Sequence, residues 1–258
     1  MKKRILYTVA ALLCIGSAAV HAAQSAAAPK TGAAWPKGSY TNLDKLPDWG
    51  GVWVLNQRRP ATGVPATVAP KPKGKYKTDF EAWQKASREN NGMSRKEVSN
   101  CMPPGMPRMM GTGQYPMEFL FTPGRVTTLH EAWMQTRTIH TDGRGHPEDL
   151  EAGIFGHSVG KWEGDTLVVD TVGIKTITEI DPGLKHSDKL RITERIHLAA
   201  NDPDTLVVEM TLEDPEALEE PARRSFIFKR ERDWNLMEFI CAENDRNPVN
   251  ADGHTVFK

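Results

Sequence analysis

Several things are missing from this sequence, and each absence narrows what the protein can be. It carries no net charge, with 33 basic residues against 33 acidic ones. No block of like charge stands out, which leaves no electrostatic case for nucleic acid or an anionic membrane surface as partner. No apolar run reaches the roughly 20 residues that a spanning helix needs, so stable membrane insertion is not expected. There is no phosphate-cradling glycine loop and no dinucleotide fingerprint, so no cofactor is expected and a cofactor-dependent oxidoreductase is poorly supported. Long helical stretches do not alternate with the strand-like segments, which argues against a parallel α/β sheet.

Cysteine is scarce too, with three residues in the whole chain. Cys14 lies in a short apolar run, Ile5 to Val20, that comes after Lys2, Lys3 and Arg4. Val20-His21-Ala22 then places small residues where signal peptidase reads them. Residues 1–22 are therefore expected to be a signal peptide cleaved after Ala22, and the mature protein to be periplasmic or secreted. Cys101 and Cys241 remain, an even count that favours a disulfide in an oxidising compartment. Closing so long a loop is worth about 4–5 kcal/mol in the chain-entropy model. Two separate buried thiols are the alternative.

Residues 23–47 are rich in Ala, Gly, Pro and Lys and read as a flexible leader. Residues 48–258 are expected to form a single β-barrel domain, with a Pro-rich and helical insertion at 61–116. Asp48 to Leu55 reads as a first strand. One helix is predicted near 79–90, with Thr78 and Glu81 as a capping box and Asn91-Gly92 as its end. Cys101-Met102-Pro103-Pro104-Gly105-Met106-Pro107 holds three prolines and should lie packed on the barrel as irregular chain. Further strands are predicted at 117–122, 127–140, 158–162, 166–172, 190–198, 205–213, 225–230 and 236–241. Turn chemistry separates them, as in Pro123-Gly124, Glu163-Gly164-Asp165 and Asp181-Pro182-Gly183. The fold class is mainly β: an antiparallel up-and-down β-barrel or a sandwich, with one short helix.

Alternation along these strands puts carboxylates in apolar rows. Leu190, Ile192, Glu194, Ile196 and Leu198 share one face, and Leu236, Glu238 and Ile240 share another. In the long strand 127–140, Leu129, Glu131, Trp133, Gln135, Arg137 and Ile139 share one side. Glu118 shares its side with Leu120. A buried carboxylate is costly unless it is paired. The row therefore predicts a polar pocket, an ion network that fixes strand register, or a face that is simply the outside. A pocket holding several acids with Arg or His could supply a matched acid and base.

Two further patterns carry chemistry only in the right setting. Gly156-His157-Ser158-Val159-Gly160 matches the G-x-S-x-G of serine esterases, which requires a strand-to-helix turn. The next residues, Lys161 to Asp165, read instead as a strand entering a hairpin. His140, Asp142, His146 and His157 could form a metal site, although the H-x-D-x3-H spacing matches no specific metal motif and Asp142-Gly143 is explained as a turn. His186-Ser187-Asp188 could rim a pocket or be an ordinary polar loop.

Several segments resemble a group of secreted bacterial proteins without an established general function. They include Tyr115-Pro116 with Glu118-Phe119, Asp142-Gly143-Arg144 with His146-Pro147, the block from Gly160 through Trp162 to Thr171, Thr193-Glu194-Arg195, and Cys241-Ala242-Glu243-Asn244. The resemblance spans roughly residues 48 to 245 and implies a shared fold and export, without an activity. Gly51-Val52-Trp53 is similar to the G-x-W start of lipocalin-like barrels, which implies a closed barrel with a ligand cavity.

The leading expectation is a periplasmic barrel that binds a small hydrophobic or aromatic organic molecule and performs cofactor-free acid/base chemistry of lyase, isomerase or hydratase type. Glu131 and Glu194 are its candidate acid and base, and Arg137 would orient an anionic or oxygen-rich group. Glu238, His157 and His186 are further catalytic candidates, while Trp133, Glu118, Trp162 and Ser158 are candidate ligand contacts. A non-catalytic carrier, a serine esterase through Ser158 and an envelope scaffold are the alternatives.

Overall fold

Two of the tight hairpins turn on a glycine that lets the chain reverse. Gly124 (φ 72) and Gly164 (φ 61) take left-handed conformations in the hairpins they close. Between such hinges the computed structural model, which describes residues 40–56, 64–89, 102–112 and 115–240, forms nine strands. They are β1 (Val52–Leu55), β2 (Met117–Thr122), β3 (Arg125–His130), β4 (Gln135–His140), β5 (His157–Glu163), β6 (Thr166–Val172), β7 (Arg191–Ala199), β8 (Asp202–Glu213) and β9 (Ala222–Glu231). They follow one another around a closed barrel, and β1 seals the seam against β9. The expected barrel is present, and the sandwich alternative falls away.

Nine is an odd number, and this has a topological consequence. If every neighbour ran antiparallel, strand direction would not match on returning to the start. One parallel pair is therefore obligatory, and it is β4 with β5, while the other neighbours run antiparallel. A parallel pair needs a long crossover, here residues 141–156, which returns the chain from one end of the barrel to the other.

That crossover defines two unlike ends. At one end β2–β3, β5–β6 and β7–β8 are joined by tight turns. An aromatic box of Trp49, Phe119, Phe121 and Trp162 sits near these turns, with ring centroids 5.0–5.6 Å apart. Arg230 helps seal the same end. It stacks 4.6 Å over Trp53 and donates to Asp48, Gly50 and Pro203 backbone or side-chain oxygens. At the other end lie the long connections, including segment 102–112 and residues 173–190. The core between them is lined by alternating inward side chains, such as Leu206, Val208, Met210 and Leu212 of β8, all buried.

Four expectations need correction. Residues 127–140 are two strands, because Glu131–Met134 breaks into a short 3-10 turn with Trp133 (φ 56) and Met134 (φ 49) left-handed. The break changes which residues face inward: Val126, Thr128 and His130 before it, Arg137 and Ile139 after it. Glu131 therefore does not share a face with Arg137. In β2 the inward residues are Met117 and Phe119, so Glu118 and Leu120 share the outer face.

The helix α1 spans Gly74–Glu89 and starts earlier than predicted. Thr78 lies inside it and donates to the Gly74 carbonyl at 3.4 Å, so it is not the cap. Residues 236–240 form no strand, and Glu238 is exposed there. Cys14, Cys101 and Cys241 lie outside the described residues, as do Asn91-Gly92 and most of the leader; its end, Tyr40–Lys45, forms a 3-10 turn. Among the described residues, no helix is long and apolar enough to cross a membrane.

Candidate functional site

Glu194 does sit in the apolar row where alternation put it, and its surroundings explain how it survives there. Its side chain is 0 % exposed and that of Arg137 1 %. The guanidinium meets the carboxylate with two N–H groups, Nη1 donating to Oε1 at 3.1 Å and Nη2 donating to Oε2. Strand register supplies the remaining partners. Ser158 is paired with Thr171 across β5 and β6, and Ile139 with Ser158 across β4 and β5. Ser158 Oγ accepts from Arg137 Nε at 3.1 Å, and Thr171 Oγ1 accepts from Nη2 at 2.8 Å. Ser158 and Thr171 share a further bond at 2.9 Å.

Beside this quartet, buried His130 is hydrogen-bonded to Thr128 at 3.0 Å. Burial, helped by the Arg137 charge, lowers its pKa to about 3, so it stays neutral at ordinary pH. Glu194 has both oxygens occupied and no exposed surface. The quartet is a buried ion network in which the Arg137 charge is matched by Glu194.

Ser158 therefore has no role as an esterase nucleophile in this geometry. It lies within a continuous strand rather than on a strand-to-helix turn, and its partners are Arg137 and Thr171 rather than a histidine.

A second cluster lies on the outer wall. The crossover brings His146 over β5 and β6, where its Nε2 lies 3.1 Å from Asp170 Oδ2 and its Nδ1 lies 2.8 Å from His157 Nδ1. Two imidazole nitrogens can bond only if one carries the proton. If Nε2–H of His146 donates to Asp170, its Nδ1 accepts from His157, and His157 Nε2 keeps a lone pair. His140 stacks on His157 at 5.2 Å. Burial first, then the neighbouring His140, His146 and Arg144, lower the His157 pKa to about 4. Asp170 is held below its usual value: burial raises it, but hydrogen bonds from Arg191 and His146 outweigh that. Asp142 is turned away and clasped by Arg144 at 2.9 Å. Among the described residues, no group of three His, Cys, Asp or Glu side chains is arranged to hold a metal.

His186 is a pin rather than a rim. It is buried, with Nε2 2.8 Å from Thr178 Oγ1 and Nδ1 2.7 Å from the Ser187 carbonyl. Thr178 gives its single hydroxyl proton to His186 Nε2, and its Oγ1 also lies 3.2 Å from the Met106 carbonyl, beside segment 102–112. Ser187 donates twice to buried Asp214, at 2.7 Å each.

The third feature is a cavity of about 420 Å³ at the end with long connections, within the size range of single-ligand sites. Met102, Pro104, Arg108, Gly111 and Thr112 form one wall; Asp181 and Pro182 another; Arg224 and Phe226 of β9, with Trp133, complete it. Arg108 donates to Glu179 at 2.8 Å, and Arg224 to Asp181 at 3.1 Å. Among the described residues, the buried Trp133 indole N–H finds no partner, a deficit of about 1–3 kcal/mol if nothing fills it.

Of the residues singled out from sequence, Trp133 alone lines this cavity. Trp162 belongs to the aromatic box at the opposite end, and Glu118 faces outward. Glu131 opens the 3-10 turn that carries Trp133, and its Oε2 accepts from the Met237 N–H at 2.8 Å. Glu194 spends both its oxygens on Arg137, and Glu131 turns to Met237, so the predicted acid/base couple is not assembled. Arg108, Asp181, Arg224 and Phe226 were missed. Phe226 could have been found by alternation along β9, and the Pro-rich segment 102–107 did announce a covering loop. The chain matches no protein-family model and no curated protein.

Proposed function

We propose that this protein is an exported barrel that binds one small aromatic or otherwise hydrophobic molecule in the cavity at its open end. The carrying observation is the asymmetry of the barrel. One end is filled by Trp49, Phe119, Phe121 and Trp162, while the other keeps about 420 Å³ beside Trp133 and Phe226. Aromatic walls with a few polar groups are the usual make-up of a ligand site. The charged n-region, the short apolar run and Val20-His21-Ala22 support export to the periplasm.

Titration of intrinsic tryptophan fluorescence with aromatic compounds tests the reading. Trp133→Ala should abolish the saturable response, while Trp162→Phe, at the closed end, should leave affinity unchanged. Equal loss in both variants would remove the cavity as the site. Acid/base turnover is a second reading, favoured by Glu131 opening the same turn as Trp133. Under it, Glu131→Gln retains binding but stops conversion of a bound compound, as read by mass analysis of the incubated mixture.

A further inference from the structure

We propose that the cavity takes an aromatic acid, a flat ring bearing a carboxylate and a second oxygen acceptor. This rests on the cavity being the binding site and goes on to its chemistry. The polar groups of the lining fall into two unequal sets. Its one carboxylate is already committed: Asp181 takes Arg224 on both oxygens, at 3.1 and 3.4 Å, while the Thr112 hydroxyl spends its proton on the Arg108 carbonyl at 3.3 Å.

The donors are not used up. Among the described residues, Arg108 places one of its five N–H groups on a side chain, Glu179 Oε2. Within the same set, the buried Trp133 N–H has no acceptor at all. Trp49 carries a similar orphan N–H within the aromatic box, whereas the Trp133 side chain belongs to the cavity lining. A ligand that completes this lining brings acceptors.

Charge points the same way. Glu179 is shared between Arg108 at 2.8 Å and Lys185 at 3.0 Å, so a single carboxylate faces two cations. A surplus positive charge remains beside the cavity. The Arg108 side chain is 27 % exposed, so it can reach an incoming anion. Its planar fork matches a carboxylate. Two aromatic rings border the cavity, which suits an aromatic ligand: Phe226, packed against Gly111 where a Cβ would come within 2.9 Å of the ring, and Trp133.

Calorimetric titration of the full chain at low salt, using 4-methoxybenzoate, benzoate and methyl 4-methoxybenzoate, tests this. The acid should bind about tenfold or more tightly than its methyl ester, as expected for a charge-assisted hydrogen bond. Arg108→Gln should bring the acid down to the ester's affinity, and Arg108→Lys should restore part of the gap. Trp133→Phe keeps a ring without the N–H. It should weaken 4-methoxybenzoate by about fivefold while leaving benzoate unchanged. If the ester binds as well as the acid and Arg108→Gln changes nothing, the acid assignment is overturned and the cavity reading stands. If none of the three compounds binds, the cavity reading itself fails.

Discussion

Two polar clusters interrupt the apolar walls of this barrel, one around Arg137 and Glu194 and one around Arg108 and Trp133, and they differ in how their charges are matched. In the first, a buried guanidinium meets one carboxylate, its single counter-charge, and bonds two hydroxyls beside it. In the second, an indole N–H is left without a partner among the described residues, and a single carboxylate is shared by two cations. A saturated cluster holds strands together; an unsaturated one beside a cavity can recognise something else. Misplaced polar residues in a sequence do not distinguish the two. The tally of partners does.

The largest way to test that contrast is to unbalance the saturated cluster. Glu194→Leu leaves Arg137 buried without its counter-charge, which should cost about 3–5 kcal/mol of stability. Adding Arg137→Met should recover most of that loss, because an apolar pair avoids the desolvation penalty. Denaturant unfolding of the single and double variants measures both. If Glu194→Leu alone folds as stably as the parent, the quartet does not hold the strands together.

A second effect comes from the neutral histidine beside that network. Burial and Arg137 hold His130 to about 3 in the folded chain, against about 6.5 when unfolded. Between those values the unfolded state binds the extra proton, so stability rises with pH across this window. Equivalently, stability is lost as pH falls from 6.5 towards 3. The slope from one such group approaches about 1.4 kcal/mol per pH unit. His140, His157 and His186 are lowered as well and add in the same direction. His130→Gln should therefore flatten stability between pH 6 and 4 by close to one proton's worth, as read from unfolding curves across that range. An unchanged slope would mean that His130 is not buried neutral.

How much of this could be read in the chain depends on how local the cause is. The barrel was legible because its hinges are written in residues that favour turns, such as Pro123-Gly124 and Glu163-Gly164-Asp165. Glu194 was legible as a buried acid because alternation within one strand needs no tertiary knowledge. The break at Glu131–Met134 was hidden. Left-handed backbone at Trp133 and Met134 has no glycine or asparagine to mark it, and missing it reversed the expected face of Arg137 relative to Glu131. The cavity was hidden for another reason. Residues from 102–112, the turn at Trp133, the loop at 181–182 and β9 meet only when the barrel closes. The parallel pair was hidden by parity, since the strand count had first to be known.

The smallest expected effect concerns the outer wall, where a polar chain is neither sealed nor beside a cavity. Asp170 accepts from Arg191 at 2.7 and 2.8 Å and lies 3.1 Å from His146, yet its side chain is 25 % exposed and that of Arg191 56 %. Exposed ion pairs contribute about 0–1 kcal/mol, so Asp170→Asn should lower global stability by less than about 1 kcal/mol. The local consequence should be clearer. Without the carboxylate, nothing fixes the proton on His146 Nε2, and the donor sense of the His146–His157 bond is no longer set. The crossover 141–156, which that bond ties to β5, should then exchange its amide protons faster, while β7 and β8 keep the parent's protection. Hydrogen exchange resolved by segment separates the two. Loss of protection throughout the barrel would make the outer-wall chain part of the same structural network as Arg137 and Glu194, and the division between satisfied interior and adaptable surface would have to be redrawn.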